Sequence, residues 1–159
     1  MKAAAILICA TVLCAAAPLL PLDEAGFTRT LAGNSGKVVL FDFWATWCDP
    51  CRAELPELVR LERKWRGRGF VLVTVSADSP DQEPAALEFL QKSGVRFPAY
   101  IKHVKDDEAF INSIDRGWSG ALPALFLYDR AGRRATSFIG ETETAKIEAA
   151  IAALIQPAR

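Results

Sequence analysis

The sequence predicts an α/β domain in which a largely parallel sheet is covered by helices on both faces. Apolar runs typical of buried strands alternate with segments whose apolar residues recur at helical spacing. Near the C-terminus, two strand-like segments are separated only by a turn, which predicts an antiparallel hairpin at one edge of the sheet. The length of 159 residues agrees with a single domain.

The predicted elements follow in a regular order. Residues 38–44 are a β-branched and aromatic run that predicts a buried strand, and residues 70–75 predict a second one. Between them, residues 50–65 carry leucines at helical spacing and are followed by two glycines that end the helix. The later segments are a helix from Ser79 to Gly94, a weaker strand at 97–104, a helix at 106–114, a strand at 124–128, a turn at 129–132, its hairpin partner at 133–139 and a helix at 143–155.

The composition excludes several classes of protein. Hydrophobic residues make up 51% and charged residues 24% of the chain, which excludes a disordered protein and a coiled coil. The 19 basic residues are balanced by 19 acidic ones. Because nucleic-acid binding relies on clustered basic side chains, no nucleic-acid partner is expected.

The N-terminus has the pattern of an export signal. Lys2 is followed by a stretch without charge that extends to the small residues at positions 15–17. We assign residues 1–21 to a signal peptide or N-terminal membrane anchor, and residues 22–159 to the folded domain. Pro18 disfavours cleavage directly before it, so cleavage after Ala16 and retention as a membrane tether both stay open. Lipidation is a further alternative, since Cys9 and Cys14 lie in this segment.

Two cysteines lie where the first strand gives way to a helix. At a helix N-terminus, backbone N–H groups and the helix dipole stabilise a thiolate. Cys48 should be exposed and attack a substrate disulfide, and Cys51, one turn inside, should resolve the mixed disulfide. Zinc binding is disfavoured because the chain has one histidine and no second pair of this kind. Copper binding and a purely structural disulfide remain alternatives. No metal or cofactor is predicted.

Residues 43–51, with the sequence FWATWCDPC, resemble the active-site stretch of the thioredoxin superfamily. The following RAELP at residues 52–56 is similar to the TlpA-like, ResA-like exported branch of thiol-disulfide oxidoreductases. The resemblance implies a thioredoxin fold, a central mixed β-sheet flanked by helices, with an extra strand–helix insert between Ser76 and Pro123. It also implies that Pro123 is a cis-proline that faces the cysteines.

The same resemblance suggests which residues meet the substrate. A cis peptide before Pro123 would free the backbone of Leu122 to pair with an extended substrate segment. Trp47 is expected to cover the disulfide and to contact the substrate. The predicted substrate-binding residues are therefore Trp47, Pro50, Leu122 and Pro123.

Two carboxylates compete for the role of proton acceptor. Asp42 corresponds to the buried acid of thioredoxin, and Glu54 lies one turn beyond Cys51, where the exported branch tends to carry an acid. A buried carboxyl group whose pKa is raised toward neutrality can accept the proton of the resolving thiol. We therefore expect Asp42 and Glu54 to share this role. The alternatives are a hydrogen-bonded structural acid at Asp42 and a helix-dipole acid at Glu54.

The sequence thus predicts a periplasmic or otherwise extracytoplasmic thiol-disulfide reductase. Its expected partners are disulfides of exported proteins, with apo-cytochrome c as a family-based candidate, and a membrane thiol-electron donor, because export removes the protein from cytosolic reductants. Asp49 adds negative charge beside Cys48, which favours a reducing pair. The alternatives are a disulfide oxidase or isomerase, and a non-catalytic copper- or peptide-binding module.

Overall fold

The computed structural model describes residues 18–155 of the chain. Residues 1–17 of the predicted leader, which include its candidate cleavage site and Cys9 and Cys14, lie outside these residues. Within residues 18–155, no helix combines the length and the apolar character needed to cross a membrane.

The described part of the chain contains six strands, five α-helices and two short 3₁₀ turns. The strands are β1 Leu20–Leu22, β2 Val38–Trp44, β3 Phe70–Ser76, β4 Tyr100–Lys102, β5 Ala124–Tyr128 and β6 Arg134–Ile139. The helices are α1 Glu24–Gly33, α2 Asp49–Trp65, α3 Glu83–Ser93, α4 Asp107–Ile114 and α5 Thr144–Ile155.

The six strands form one mixed sheet in the order β1-β4-β3-β2-β5-β6. The first four strands of this order run parallel, whereas β5 is antiparallel to β2 and β6 is antiparallel to β5. The predicted α/β class with an antiparallel hairpin at one edge is therefore confirmed.

Helices cover both faces of the sheet because β2 is apolar on both sides. Its odd-numbered members, such as Phe41 and Phe43, pack in a cluster with residues of α1 and α4. Leu40 faces α2 and α5 on the other side, and Trp44 packs on that side with α3. All seven residues of β2 are buried, which makes this strand the centre of the core.

The stretch between Ser76 and Pro123, where the extra strand–helix insert was predicted, contains α3, β4 and α4. β4 lies between β1 and β3 in the sheet. It pairs with β3 only at Val75 and Ser76, so the earlier residues of β3 have no strand on that side within residues 18–155. These residues line a cavity of about 400 Å³.

The sheet begins before the predicted domain boundary at residue 22. β1 pairs with β4, and Leu19, which is buried, donates its backbone N–H to Glu83 Oε1 at 3.2 Å. Leu19, Leu20 and Pro21, which we assigned to the leader, are thus part of the fold. The apolar run of the leader continues into the edge strand without a polar residue between them, so composition alone does not separate the two.

Three other elements differ from the sequence prediction. α1 was not predicted, although Asp23 caps it by accepting the Gly26 N–H and Phe27 is buried on its inner face. The helix expected from Ser79 starts with a 3₁₀ turn and becomes α-helical at Glu83. The strand expected at 97–104 is shortened to β4, because it has partners over only three residues.

We expect a chain that starts at Leu22 to be less stable than one that starts at Pro18. The shorter chain loses the buried Leu19 side chain and most of the β1–β4 pairing, which should lower the free energy of unfolding by about 2–4 kcal/mol. Urea unfolding of both proteins measures the difference. Equal free energies would show that residues 18–21 do not belong to the cooperative domain.

Candidate active site

The turn that joins β2 to α2 carries the cysteine pair. β2 ends at Trp44, and Cys48 is the N-cap of α2, with extended backbone angles of φ −94° and ψ 95°. The Cys48 N–H donates to the carbonyl of Ala45 at 3.1 Å, which closes the turn. Pro50 follows at the start of the helix, where its missing N–H removes no intrahelical hydrogen bond.

Cys48 and Cys51 form a disulfide, with their Cα atoms 5.3 Å apart. The Sγ of Cys48 accepts a hydrogen bond from the backbone N–H of Cys51 at 3.4 Å, so it faces the positive end of the helix dipole. This is the placement that stabilises a thiolate once the disulfide is reduced.

The expectation that Cys48 is exposed is wrong for this oxidised state. The residue is 6% exposed and Cys51 is 2% exposed. The bond to the buried Cys51 sulfur turns the Cys48 sulfur toward the helix, where it packs in an apolar cluster with Trp44, Ala45 and Leu55.

Trp47 lies in the same turn but is 64% exposed. It therefore presents most of its indole to solvent and covers the disulfide less than we expected. Leu122 is half-buried against the cysteine cluster, and the bond between it and Pro123 is cis, as the resemblance implies.

The backbone of Leu122 is free of partners within the described chain. Neither its N–H nor its C=O makes a hydrogen bond with any residue from 18 to 155. By contrast, the carbonyl of Pro123 accepts the Gly140 N–H at 2.8 Å, and the carbonyl of Ala121 accepts from the Trp118 indole at 2.8 Å. The backbone groups of Leu122 remain available to a bound peptide.

Asp42 lies inside the core, on the sheet face that packs against α2. It is 2% exposed, and its Oδ2 has no hydrogen-bond partner among the residues described. Burial in apolar surroundings raises the pKa of Asp42 well above its ordinary range, and repulsion from Glu54 raises it further. A carboxyl group in this position favours its protonated form.

Glu54 lies on α2 one turn beyond Cys51. Both of its carboxyl oxygens are buried and lack hydrogen-bond partners within residues 18–155. Burial raises the pKa of Glu54 to about 7, with a further contribution from the nearby charge of Glu141. Two acids with raised pKa values therefore lie close together, Glu54 on α2 and Asp42 on β2.

A groove of about 460 Å³ runs beside the start of α2. Its lining contains four carboxyl groups and no basic side chain. Asp49 and Glu57 are paired with arginines outside the groove, whereas Glu54 and Glu141 form no ion pair within the described residues. The lining residues are Asp49, Pro50, Ala53, Glu54, Glu57, Pro123, Glu141, Thr142 and Thr144.

Two residues at the site were missed by sequence reasoning. Glu141 follows β6 and reaches the groove from another element. Asp78, which is 1% exposed, follows β3 and accepts hydrogen bonds from Thr46 in the redox turn, residues 45–47. A usable signal existed for Asp78, because β2 and β3 are adjacent parallel strands whose carboxyl ends meet at one edge of the sheet.

The described residues contain no cluster of three or more His, Cys, Asp or Glu side chains arranged to hold a metal ion. The chemistry that this arrangement offers is exchange between thiols and disulfides, with two acids able to take up protons.

Comparisons with known proteins agree with this chemistry. The profile of the AhpC/TSA family matches residues 14–133. The thiol-disulfide oxidoreductase ResA of Bacillus thuringiensis (strain Al Hakam) is 31% identical over 133 residues, which cover 79% of this chain and 68% of ResA. ResA of Bacillus subtilis (strain 168) is 28% identical over 111 residues, which cover 70% of this chain and 58% of that relative.

Solved structures support the same fold. A thiol:disulfide interchange protein of the thioredoxin family from Chlorobium tepidum superposes with a TM-score of 0.66 at 24% identity, over 79% of this chain and 84% of that one. A DsbF homologue from Corynebacterium diphtheriae gives a TM-score of 0.66 at 22% identity, over 78% and 76%. The chain therefore belongs to the AhpC/TSA family and is a thiol-disulfide oxidoreductase with a thioredoxin fold.

Proposed function

We propose that this protein reduces disulfides in extracytoplasmic proteins. The observation that carries the proposal is the acidic groove beside the redox pair, in which Glu54 and Glu141 form no ion pair within the described residues. Negative charge near Cys48 destabilises its thiolate relative to the disulfide, and this makes a dithiol pair more reducing.

The reaction starts from the reduced pair. The Cys48 thiolate attacks one sulfur of a substrate disulfide, so that a Cys48–substrate bond forms, the substrate S–S bond breaks, and the first substrate thiolate leaves. Cys51 then attacks the Cys48 sulfur and releases the second substrate thiolate. Two electrons have moved to the substrate, and the protein holds the Cys48–Cys51 disulfide seen in the structure.

The second step requires that the Cys51 thiol lose its proton, and Asp42 and Glu54 are the proposed acceptors. The oxidised protein is the state that follows this transfer. Burial in this state raises the pKa of both carboxyl groups, which favours the protonated forms that the transfer would leave. The partnerless carboxyl oxygens support a role in proton transfer over that of a hydrogen-bonded structural acid.

The proposed substrate surface surrounds the pair. Trp47 offers an exposed indole for apolar contact, and the free backbone groups of Leu122 can pair with an extended segment. Pro50 and Pro123 line the groove between α2 and the loop after β6. A substrate segment bound there would lie across the start of α2.

The compartment is inferred from the N-terminal signal pattern, which indicates export with or without a retained membrane tether. Outside the cytosol, the dithiol must be regenerated by a thiol-electron donor in the membrane. Cysteines of apo-cytochrome c are candidate substrates, as the family resemblance implies.

The order of attack is tested by replacing each cysteine. Cys51→Ser should accumulate a mixed disulfide with a disulfide-containing peptide, because Cys48 can attack but nothing resolves the product. Cys48→Ser is the matched control and should accumulate none. Non-reducing electrophoresis with mass spectrometry detects the adduct, and an adduct on Cys51 in the control would reverse the assigned roles.

The direction of exchange is tested by the reduction potential of the Cys48–Cys51 pair. We expect a value near or below that of thioredoxin, about −270 mV, in equilibrium with a defined redox buffer. A value well above it would favour a disulfide oxidase or isomerase instead. Stoichiometric Cu(I) binding, without disulfide reduction by the reduced protein, would indicate a copper-binding module.

The shared proton acceptor is tested by the variant that combines Asp42→Asn with Glu54→Gln. Removing both acceptors should slow resolution at neutral pH by about tenfold or more and flatten the pH profile of thiol exchange. Each single variant should retain part of the pH dependence of thiol exchange. Stopped-flow kinetics with Glu57→Gln as a groove control measures these profiles, and an unchanged profile in the double variant would exclude the shared role.

Glu54 should also make the free energy of unfolding depend on pH. Its pKa rises from the ordinary 4.5 to about 7 on folding. Between these two pH values the native state binds more protons than the unfolded state, so the free energy of unfolding falls as the pH rises. Allowing for solvent screening at a half-buried group, the fall is about 1–2 kcal/mol. Urea unfolding of the oxidised protein should show a smaller fall in Glu54→Gln but the wild-type fall in Glu57→Gln. Identical curves for wild type and Glu54→Gln would contradict the raised pKa.

A further inference from the structure

Asp78 is a buried carboxyl group that takes no part in the proton transfer proposed above. It lies two residues after β3 and is 1% exposed. Its oxygens accept hydrogen bonds from the backbone N–H of Thr46, at 3.1 and 3.0 Å, and from the Thr46 hydroxyl at 2.7 Å. Thr46 is a member of the turn that precedes Cys48, so the carboxyl group binds the redox turn directly.

Asp78 is itself fixed by the end of its own strand. The Ser76 hydroxyl donates to its Oδ2 at 2.7 Å, and the backbone N–H of Asp78 donates back to the Ser76 oxygen at 3.1 Å. One residue earlier, the N–H of Ala77 donates to the carbonyl of Trp44 at 2.7 Å. The redox turn is therefore attached to a rigid point at the carboxyl end of β3.

No other side chain from residues 18–155 makes a hydrogen bond to the turn at residues 45–47. Within the turn, the Cys48 N–H donates to the carbonyl of Ala45. In the oxidised protein, the disulfide adds a covalent link between the end of the turn and α2. Reduction removes this link, whereas the hydrogen bonds of Asp78 do not depend on it.

We propose that Asp78 is a positioning residue for thiol-disulfide exchange, which acts through Thr46 to hold the Cys48 sulfur at the N-terminus of α2 in the reduced protein. The stabilisation that a helix terminus gives to a thiolate is confined to its first turn and depends on alignment. A turn released from β3 would let the sulfur move away from the Cys51 N–H, and the thiolate would lose part of its stabilisation. The proposal rests on dithiol exchange at Cys48 and Cys51, and it does not depend on whether the protein acts as a reductase or an oxidase.

The opposite effect is the physical alternative. If Asp78 acted only through its negative charge, its removal would stabilise the Cys48 thiolate and make the cysteine more reactive. A purely structural role would lower the stability of the fold and leave the reactivity of Cys48 unchanged. The reactivity of Cys48 in the reduced, full-length protein therefore separates the three roles.

The experiment measures alkylation of Cys48 by iodoacetamide as a function of pH, with mass spectrometry of the Cys48 peptide. Asp78→Ala should lower the alkylation rate of Cys48 at pH 7 by about three- to tenfold and shift the midpoint of the pH profile to higher pH. Thr46→Val removes only the hydrogen bond of the hydroxyl and no charge. It should lower the alkylation rate by a smaller factor. Thr46→Ser keeps the hydroxyl and should restore the wild-type rate.

Asp106→Ala is the matched control. This aspartate also accepts a backbone N–H, from Ala109 at 3.0 Å, but it caps α4 and takes no part in the redox turn. It should lower stability in urea unfolding without changing the alkylation profile. A faster reaction in Asp78→Ala, or wild-type rates in both Asp78→Ala and Thr46→Val, overturns the proposal. If Asp78→Ala does not fold, the comparison of Thr46→Val with Thr46→Ser decides alone. The readout needs no protein substrate, so its failure is distinct from failure of the proposed reductase activity.

Discussion

The complete burial of β2 is the constraint on which the rest of the structure depends. A strand that is apolar on both faces can exist only between two layers of helices, and its neighbours β3 and β5 must pair along most of its length. The chain leaves the buried strand at its carboxyl end, where the carbonyl of Trp44 accepts the Ala77 N–H and the carbonyl of Ala45 accepts the Cys48 N–H. The redox turn and the start of α2 occupy this end, so the position of the cysteines is set by the core of the domain.

The same constraint explains the electrostatics of the site. Asp42 belongs to β2 and is enclosed on all sides by the sheet and α2, so its carboxyl group is removed from water. Glu54 approaches Asp42 from α2, and its negative charge opposes ionisation of Asp42. Around these acids, the helix N-terminus favours a thiolate while the groove carboxyls oppose it. The redox properties of the pair follow from the balance between these opposing fields.

Much of the fold and of the redox chemistry could be predicted from the sequence. The strands predicted at residues 38–44 and 70–75 have mainly apolar sequences, interrupted by Asp42 and Thr74. A cysteine pair at a strand–helix junction is a local pattern that needs no knowledge of distant residues. The prediction failed where the structure depends on long-range contacts. β1 is only three residues long and its apolar residues look like the end of the leader, so its pairing with β4 cannot be read from the local sequence.

The site shows the same division. Asp42 and Glu54 were proposed as proton acceptors because their positions relative to the cysteines match those of acids in the thioredoxin superfamily and its exported branch. Glu141 lies 93 positions after Cys48 in the sequence, and only the folded chain brings it to the groove. Asp78 lies 30 positions after Cys48, and the pairing of β2 with β3 brings it to the redox turn. The exposure of Cys48 was misjudged for a related reason, since the disulfide directs its sulfur inward and the spacing of residues does not reveal this.

The short pairing of β4 has a consequence for how copies of this protein behave in solution. The first residues of β3 have no neighbouring strand, within the described residues, on the side where β4 pairs with Val75 and Ser76. Unpaired strand edges of this kind can recruit a strand from another molecule. Lys37, Arg66 and Arg96 line the cavity at this edge, and among the described residues only Arg66 has an acidic partner, Glu62. A strand added at this edge would have to desolvate these cations, so the gap left by the insert is protected from self-association by charge.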